Sequence, residues 1–113
     1  MNYTIAVAQI DSTVGNLEKN VKHHIDYVKR AIAKKANIVV FPELSLTGYS
    51  IKDLNWDLAL RAKPNGYFTD LLKLSRHITI IAGGVEESEN YGIYNSAFLF
   101  EDGKIFSAHK KNY

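Results

Sequence analysis

Residues 41–49 read Phe41-Pro42-Glu43-Leu44-Ser45-Leu46-Thr47-Gly48-Tyr49. They follow the apolar run Asn37-Ile38-Val39-Val40 directly and lead into small and polar residues. A short apolar run with polar flanks reads as a buried strand. Glu43 therefore falls where a strand leaves the core and a loop begins. A carboxylate at such a place borders a cleft, and partial desolvation raises its pKa toward a working value for acid–base chemistry. The plainer alternative is a loop carboxylate that caps a backbone amide or pairs with a lysine. Gly48 permits tight backbone geometry, and Tyr49 offers a hydroxyl beside the cleft as a substrate-binding group.

Toward the N-terminus, Thr4 to Ile10 is short, apolar and bounded by polar residues and reads as a buried strand, and Asp11 to Gly15 reads as a loop. Asn16 suits a helix N-cap and Glu18 its first turn. Leu17, Val21, Ile25, Val28 and Ile32 then recur at helical spacing as one apolar stripe. Lys34 and Lys35 suit the helix C-terminus. Strand, helix and strand within about 40 residues form a βαβ unit, which predicts parallel strands.

Toward the C-terminus, Ile51 to Ala62 reads as a short helix with Trp56 packed inward, and Pro64-Asn65-Gly66 breaks it. Tyr67 to Arg76 is a second main helix, with Phe68, Leu71, Leu72 and Ser75 on its inner side. Ile78 to Ala82 is a strand ending at Gly83-Gly84, and Glu86 to Asn90 a polar turn. Tyr94 to Phe100 and Ile105 to Lys111 are strands joined by the hairpin signal Glu101-Asp102-Gly103-Lys104. The fold class is α/β, with about five strands and two main helices. The chain stops in or just after a strand, without a cap or polar tail, and reads as a truncated piece of a larger domain; a naturally short domain with an edge strand last is the alternative.

Simple alternation puts Ile105, Ser107, His109 and Lys111 on one face of the last strand and Phe106, Ala108 and Lys110 on the other. A buried lysine near a carboxylate suits the stabilisation of an oxyanion; two solvated lysines at a strand end are the alternative. Asn95, in Tyr94-Asn95-Ser96-Ala97, reads as a hydrogen-bonded structural residue rather than a ligand contact.

The totals narrow the function classes. With 46% apolar and 23% charged residues among 113, the composition is that of a soluble globular domain. Net charge is +2. Lys19, Lys22, Lys29, Arg30, Lys34 and Lys35 interleave with Glu18 and Asp26, as on a solvated helix face rather than a nucleic-acid surface. Cysteine is absent, which excludes disulfides and cysteine-based metal sites. His23, His24, His77 and His109 lack metal-ligand spacing and read as surface or packing residues. Gly83-Gly84 lacks the frame of a nucleotide-binding loop. The N-terminus has no signal-peptide pattern, and no apolar run reaches the ~20 residues of a membrane helix. A cytoplasmic protein without metal, cofactor, nucleic-acid or membrane partner is expected.

Together these segments resemble the N-terminal portion of the nitrilase (carbon–nitrogen hydrolase) superfamily. The resemblance rests on Ala6-Val7-Ala8-Gln9, the helix after Gly15-Asn16, Phe41-Pro42-Glu43 with Thr47-Gly48-Tyr49, Gly83-Gly84, Tyr94-Asn95-Ser96-Ala97, and Gly103-Lys104-Ile105 running into Lys110-Lys111. The glutamate and lysine motifs stand in order, 68 positions apart. The resemblance implies half of an α-β-β-α sandwich, in a protein that forms homo-oligomers. It also implies that Glu43 is the general base and Lys111, second of a basic pair with Lys110, the catalytic lysine. The third member of the family's triad is a cysteine nucleophile further along, so these 113 residues alone are expected to be inactive. The intact protein would cleave a non-peptide C–N bond in a small-molecule amide or nitrile. One alternative is a non-catalytic interaction module with an exposed apolar face. Another is the glutaminase portion of an ammonia-using synthetase, since Phe41 to Tyr49 followed by Lys52-Asp53-Leu54 resembles glutamine-dependent NAD synthetases.

Overall fold

The computed structural model describes residues 3–10, 12, 16–47, 66–87 and 93–112, with the side chains of Ile93 and of residues 109–112 outside that description. The predicted helix over Ile51–Ala62, Trp56, Gly48 and Tyr49 lie outside the described residues.

Strand β1 (Ile5–Val7), helix α1 (Leu17–Ala33) and strand β2 (Ile38–Val40) form the expected βαβ unit, but β1 is shorter than the predicted Thr4–Ile10 and leaves Ile5 and Val7 exposed rather than buried. Ile5, Ala6 and Val7 pair in parallel with Ile38, Val39 and Val40. The helix carries the chain back to its starting end, which is why the second strand runs the same way as the first. Asn16 caps α1 as predicted: its side chain accepts the Lys19 N–H at 3.1 Å, and Glu18 lies in the first turn. Helix α2 (Thr69–Leu74) is shorter than the predicted Tyr67–Arg76, yet Phe68, Leu71 and Ser75 are buried as expected, with Leu72 half-buried.

Strand β3 (Thr79–Glu87) pairs in parallel with β2. Strands β4 (Ile93–Glu101) and β5 (Lys104–Asn112) then follow as antiparallel neighbours. The sheet order matches the chain order, β1-β2-β3-β4-β5. The architecture is the expected α/β one, five strands with two helices. Asp102 (φ 51°) and Gly103 (φ 76°) form the β4–β5 turn in the left-handed region that a tight two-residue hairpin requires. Asp102 N–H donates to the Ser75 carbonyl at 2.9 Å and Gly103 N–H to Ser75 Oγ at 2.9 Å, tying the hairpin to the end of α2.

One correction concerns β3. The strand does not stop at Gly83-Gly84 but continues through both to Glu87, so Glu86 and Glu87 are strand residues rather than a polar turn. Its backbone stays paired there, with β4 on one side and the turn after β2 on the other.

The ladders put Ala6, Val39, Ile80, Phe100 and Ile105 in one cross-sheet row. That row belongs to the core, which also holds Val21, Val28, Phe68, Leu71 and Phe98. Phe68 meets Phe100 edge-on, with ring centroids 5.3 Å apart. The adjacent row is Val7, Val40, Ile81, Leu99 and Phe106, and side-chain alternation places it on the opposite face. It too is wholly apolar, but Val7 is 77% and Phe106 52% exposed. Among the described residues no helix is long and apolar enough to cross a membrane.

Candidate functional site

Beyond Val40 the chain keeps contact with β3 for one more residue, since Phe41 N–H donates to the Ile81 carbonyl at 2.8 Å. The chain then turns through Glu43–Thr47. Leu44 has φ 56°, left-handed backbone that a non-glycine residue adopts only at a cost of about 1–2 kcal/mol. Ser45 N–H closes the turn on the Pro42 carbonyl at 3.2 Å.

This turn takes over the edge of β3 that β2 leaves open. Leu46 N–H donates to the Gly83 carbonyl at 2.7 Å. Gly83 N–H donates to Ser45 Oγ and Val85 N–H to Thr47 Oγ1, each at 3.2 Å. Two hydroxyls thus replace strand carbonyls, which satisfies buried amides that would otherwise be costly. Gly83 is required by proximity: a Cβ there would stand 2.5 Å from Leu44 N and 3.2 Å from Glu43 Cα.

Helix α1 grips the turn from the other side. Asn20 Nδ2 donates to the Leu46 carbonyl at 2.9 Å. His24, fully buried, lies 2.6 Å through Nδ1 from the Asn20 carbonyl and 2.8 Å through Nε2 from Ser45 Oγ. A carbonyl only accepts, so Nδ1 carries the ring proton and Nε2 accepts from the Ser45 hydroxyl. The ring also lies against Phe41, with centroids 4.2 Å apart. Burial lowers the His24 pKa from 6.5 to about 4, against the opposing pull of the Asn20 carbonyl and with a small push from His23. The neutral ring matches the hydrogen bonds. Ser12 Oγ adds a bond to the Ser45 carbonyl.

Glu43 itself is exposed, so the described residues do not supply the partial desolvation expected of it. Its carboxylate is instead oriented by a hydrogen bond from Asn95 Nδ2 to Oε1. Asn95 is only 4% exposed, and its Oδ1 is buried with no hydrogen-bond partner among the described residues. The reading of Asn95 as a hydrogen-bonded residue holds, but its partner is the candidate base.

The β4–β5 ladder corrects the predicted face of Lys111. Ser96 pairs with His109 and Asn95 with Lys111, so Lys110 is the extra residue of a β-bulge. Paired positions of a ladder share a face and neighbours along β4 alternate. His109 and Lys111 therefore occupy opposite-face positions, and Lys111 takes the position across from Asn95. On the other face Glu86, 3% exposed, flanks the bulge. Its Oε1 accepts from Ser96 Oγ at 2.7 Å and its Oε2 from Ser107 Oγ at 2.9 Å.

The structure thus brings Glu43, Asn95 and the backbone position of Lys111 to one end of one sheet face. Among the described residues no three His, Asp or Glu side chains gather as a metal-binding group. An ionised carboxylate held by an amide is equipped to accept a proton in a fixed direction. Asn95, His24 and Ser45 were not among the expected site residues. Two signals pointed to them: polar Asn95-Ser96 in an apolar strand, and His24 one helical turn from Asn20, within the buried face of α1.

A family model of carbon–nitrogen hydrolases matches residues 4–113. The glutamine-dependent NAD(+) synthetase of Acinetobacter baylyi is 29% identical over 111 residues, which cover 98% of this chain and 20% of the synthetase. The 2-oxoglutaramate amidase of Bacillus subtilis is 27% identical over 113 residues, 98% of this chain and 43% of the amidase. The solved structure of the glutamine-dependent NAD+ synthetase from Acinetobacter baumannii, in complex with ADP, superposes with a TM-score of 0.80. It is 29% identical, and the match covers 97% of this chain and 21% of that one. The chain therefore spans about a fifth of the synthetases it matches. Because the family match takes in all but its first three residues, this chain belongs to the carbon–nitrogen hydrolase family.

Proposed function

We propose that the chain is the N-terminal portion of a carbon–nitrogen hydrolase domain that releases ammonia from the terminal carboxamide of a small five-carbon acid, with glutamine as the first candidate. The observation that carries this reading is Glu43, oriented by Asn95, with Lys111 in register across from Asn95. The choice of substrate class is supported by the relatives. Glutamine and 2-oxoglutaramate, named in two of them, share a five-carbon skeleton ending in a primary amide.

In this reading Glu43 takes the proton of a cysteine thiol supplied outside these 113 residues. The thiolate attacks the amide carbon, and the ammonium of Lys111 supports the resulting oxyanion. The C–N bond breaks as Glu43 returns its proton to the leaving amine. Glu43 then activates water, which cleaves the thioester, releases the acid and restores the thiol. Tyr49 contributes a hydroxyl to substrate binding. The 113 residues alone lack the nucleophile and are inactive.

A second reading, a non-catalytic interaction module, draws on the uncovered apolar row from Val7 to Phe106. The same row suits the layered reading equally well, as the face on which the second sheet of a sandwich packs. Ammonia release from L-glutamine by the full-length protein separates the two. Glu43→Gln should lower it by at least about a hundredfold. A Glu43→Gln protein with the wild-type rate overturns the assignment of the base, and a wild-type protein inert toward L-glutamine and small primary amides favours the module.

A further inference from the structure

Helix α1 buries Val21, His24 and Val28 on one face, and the middle position of the three is a polar ring. A leucine would fill such a position as well. What the imidazole adds is a pair of hydrogen-bonding nitrogens, and their partners admit one assignment. Gly83 N–H only donates, so Ser45 Oγ accepts from it and keeps its own proton to give. The Asn20 carbonyl only accepts, so His24 Nδ1 carries the ring proton and Nε2 accepts. The result is a chain with a single direction, from β3 through the turn to α1. Gly83 N–H donates to Ser45 Oγ, Ser45 O–H to His24 Nε2, and His24 Nδ1–H to the Asn20 carbonyl.

Glu43 stands two residues before Ser45, and Leu44 between them is held at φ 56°. A left-handed non-glycine residue keeps that conformation only where its surroundings over-determine it. Glu43 takes its side-chain bond from Asn95 on β4, while its Cα lies against Gly83 on β3. Both relationships depend on the turn staying seated on β3. We infer that His24 is a positioning residue for Glu43: by accepting the Ser45 proton it locks the turn on Gly83 in the conformation that carries the carboxylate to Asn95. The inference rests on the proposed role of Glu43 as the base. It adds a physical reason why a fully buried histidine, outside the chemistry itself, should set the rate.

The test measures ammonia release from L-glutamine by the full-length protein, at a temperature where circular dichroism shows each variant folded. The variants are His24→Leu, His24→Gln, Ser45→Ala, the double variant His24→Leu with Ser45→Ala, and Glu43→Gln. His24→Leu and Ser45→Ala should each lower kcat about ten- to a hundredfold with KM little changed. The double variant should lose no more than the worse single one, since both break the same link. His24→Gln, whose side-chain carbonyl can accept from Ser45, should recover most of the rate. Wild-type kcat in His24→Leu, losses that multiply in the double variant, or a His24→Gln no better than His24→Leu overturns the inference, while an inactive Glu43→Gln leaves the proposed base standing. A Glu43→Gln protein with the wild-type rate, or a wild type inert toward L-glutamine and small primary amides, removes that reading and this inference together. Imidazole nitrogen NMR shifts of the wild-type protein decide the point even if no His24 variant folds. A proton on Nδ1 and a bare Nε2 support the link, and a proton on Nε2 refutes it.

Discussion

His24 and Ser45 are joined by a buried hydrogen bond of 2.8 Å between Nε2 and Oγ, although 21 residues separate them. The bond links helix α1 to the turn that carries Glu43. Ser45 Oγ also accepts from Gly83 N–H, so one hydroxyl connects the helix, the turn and strand β3. Glu43 is exposed, but the residues just after it are held from both sides.

The packing of the turn on Gly83 predicts that Gly83→Ala damages both stability and function. A methyl group 2.5 Å from Leu44 N must displace backbone rather than a mobile side chain. Such overpacking costs about 1–3 kcal/mol. Urea denaturation should register that loss. The proposed ammonia release by the full-length protein should fall even at temperatures where the variant is fully folded, because the displaced peptide is the one that follows Glu43. A variant as stable and active as wild type would show that the turn accommodates the methyl.

Neutral His24 predicts a pH dependence of stability. Its folded pKa of about 4 lies below the ordinary 6.5, so the unfolded chain binds the proton more readily. The contribution is fully present above about pH 6.5 and is lost as pH falls toward 4, for a total of about 3 kcal/mol. Unfolding free energy measured between pH 7 and pH 4 should decline less steeply in His24→Gln than in wild type. Equal slopes would mean that His24 does not resist protonation.

Glu86 predicts a cost for removing its hydroxyl partners. Ser96 Oγ donates to this buried carboxylate at 2.7 Å beside the bulge. Loss of a hydrogen bond to a buried group costs about 0.5–1.5 kcal/mol. Ser96→Ala should lower stability by that amount in thermal or urea unfolding. It should also disturb the β4–β5 register near Asn95 and Lys111, which hydrogen exchange of the β5 amides can follow. A neutral effect on both would separate Glu86 from the bulge.

Most of the architecture was legible along the chain because it is written in local patterns. Val21 and Val28 at helical spacing, Asn16 ahead of them, and the apolar run at Ile38–Val40 each encode their element within a few residues. Asp102-Gly103 encodes its own turn through backbone freedom alone. The order of the glutamate and lysine motifs is equally a property of the chain, and it points to the family without any geometry.

What local pattern does not carry is pairing across elements. Strand β3 looked finished at Gly83-Gly84 because glycine favours turns. It continues because Ser45 and Thr47, some forty residues earlier, satisfy its amides. The face of Lys111 followed from strict alternation until a bulge at Lys110, defined only against β4, reversed it. The amino-acid sequence by itself determined where the five strands and the first helix fall, though not how far each strand runs, and the order of the candidate catalytic residues, since each depends on neighbours in the chain. Tertiary structure alone decided that Asn95 meets Glu43, that His24 holds Ser45, and that Lys111 shares a register position with Asn95. Those relationships depend on hydrogen bonds between elements whose spacing appears only once the sheet has closed.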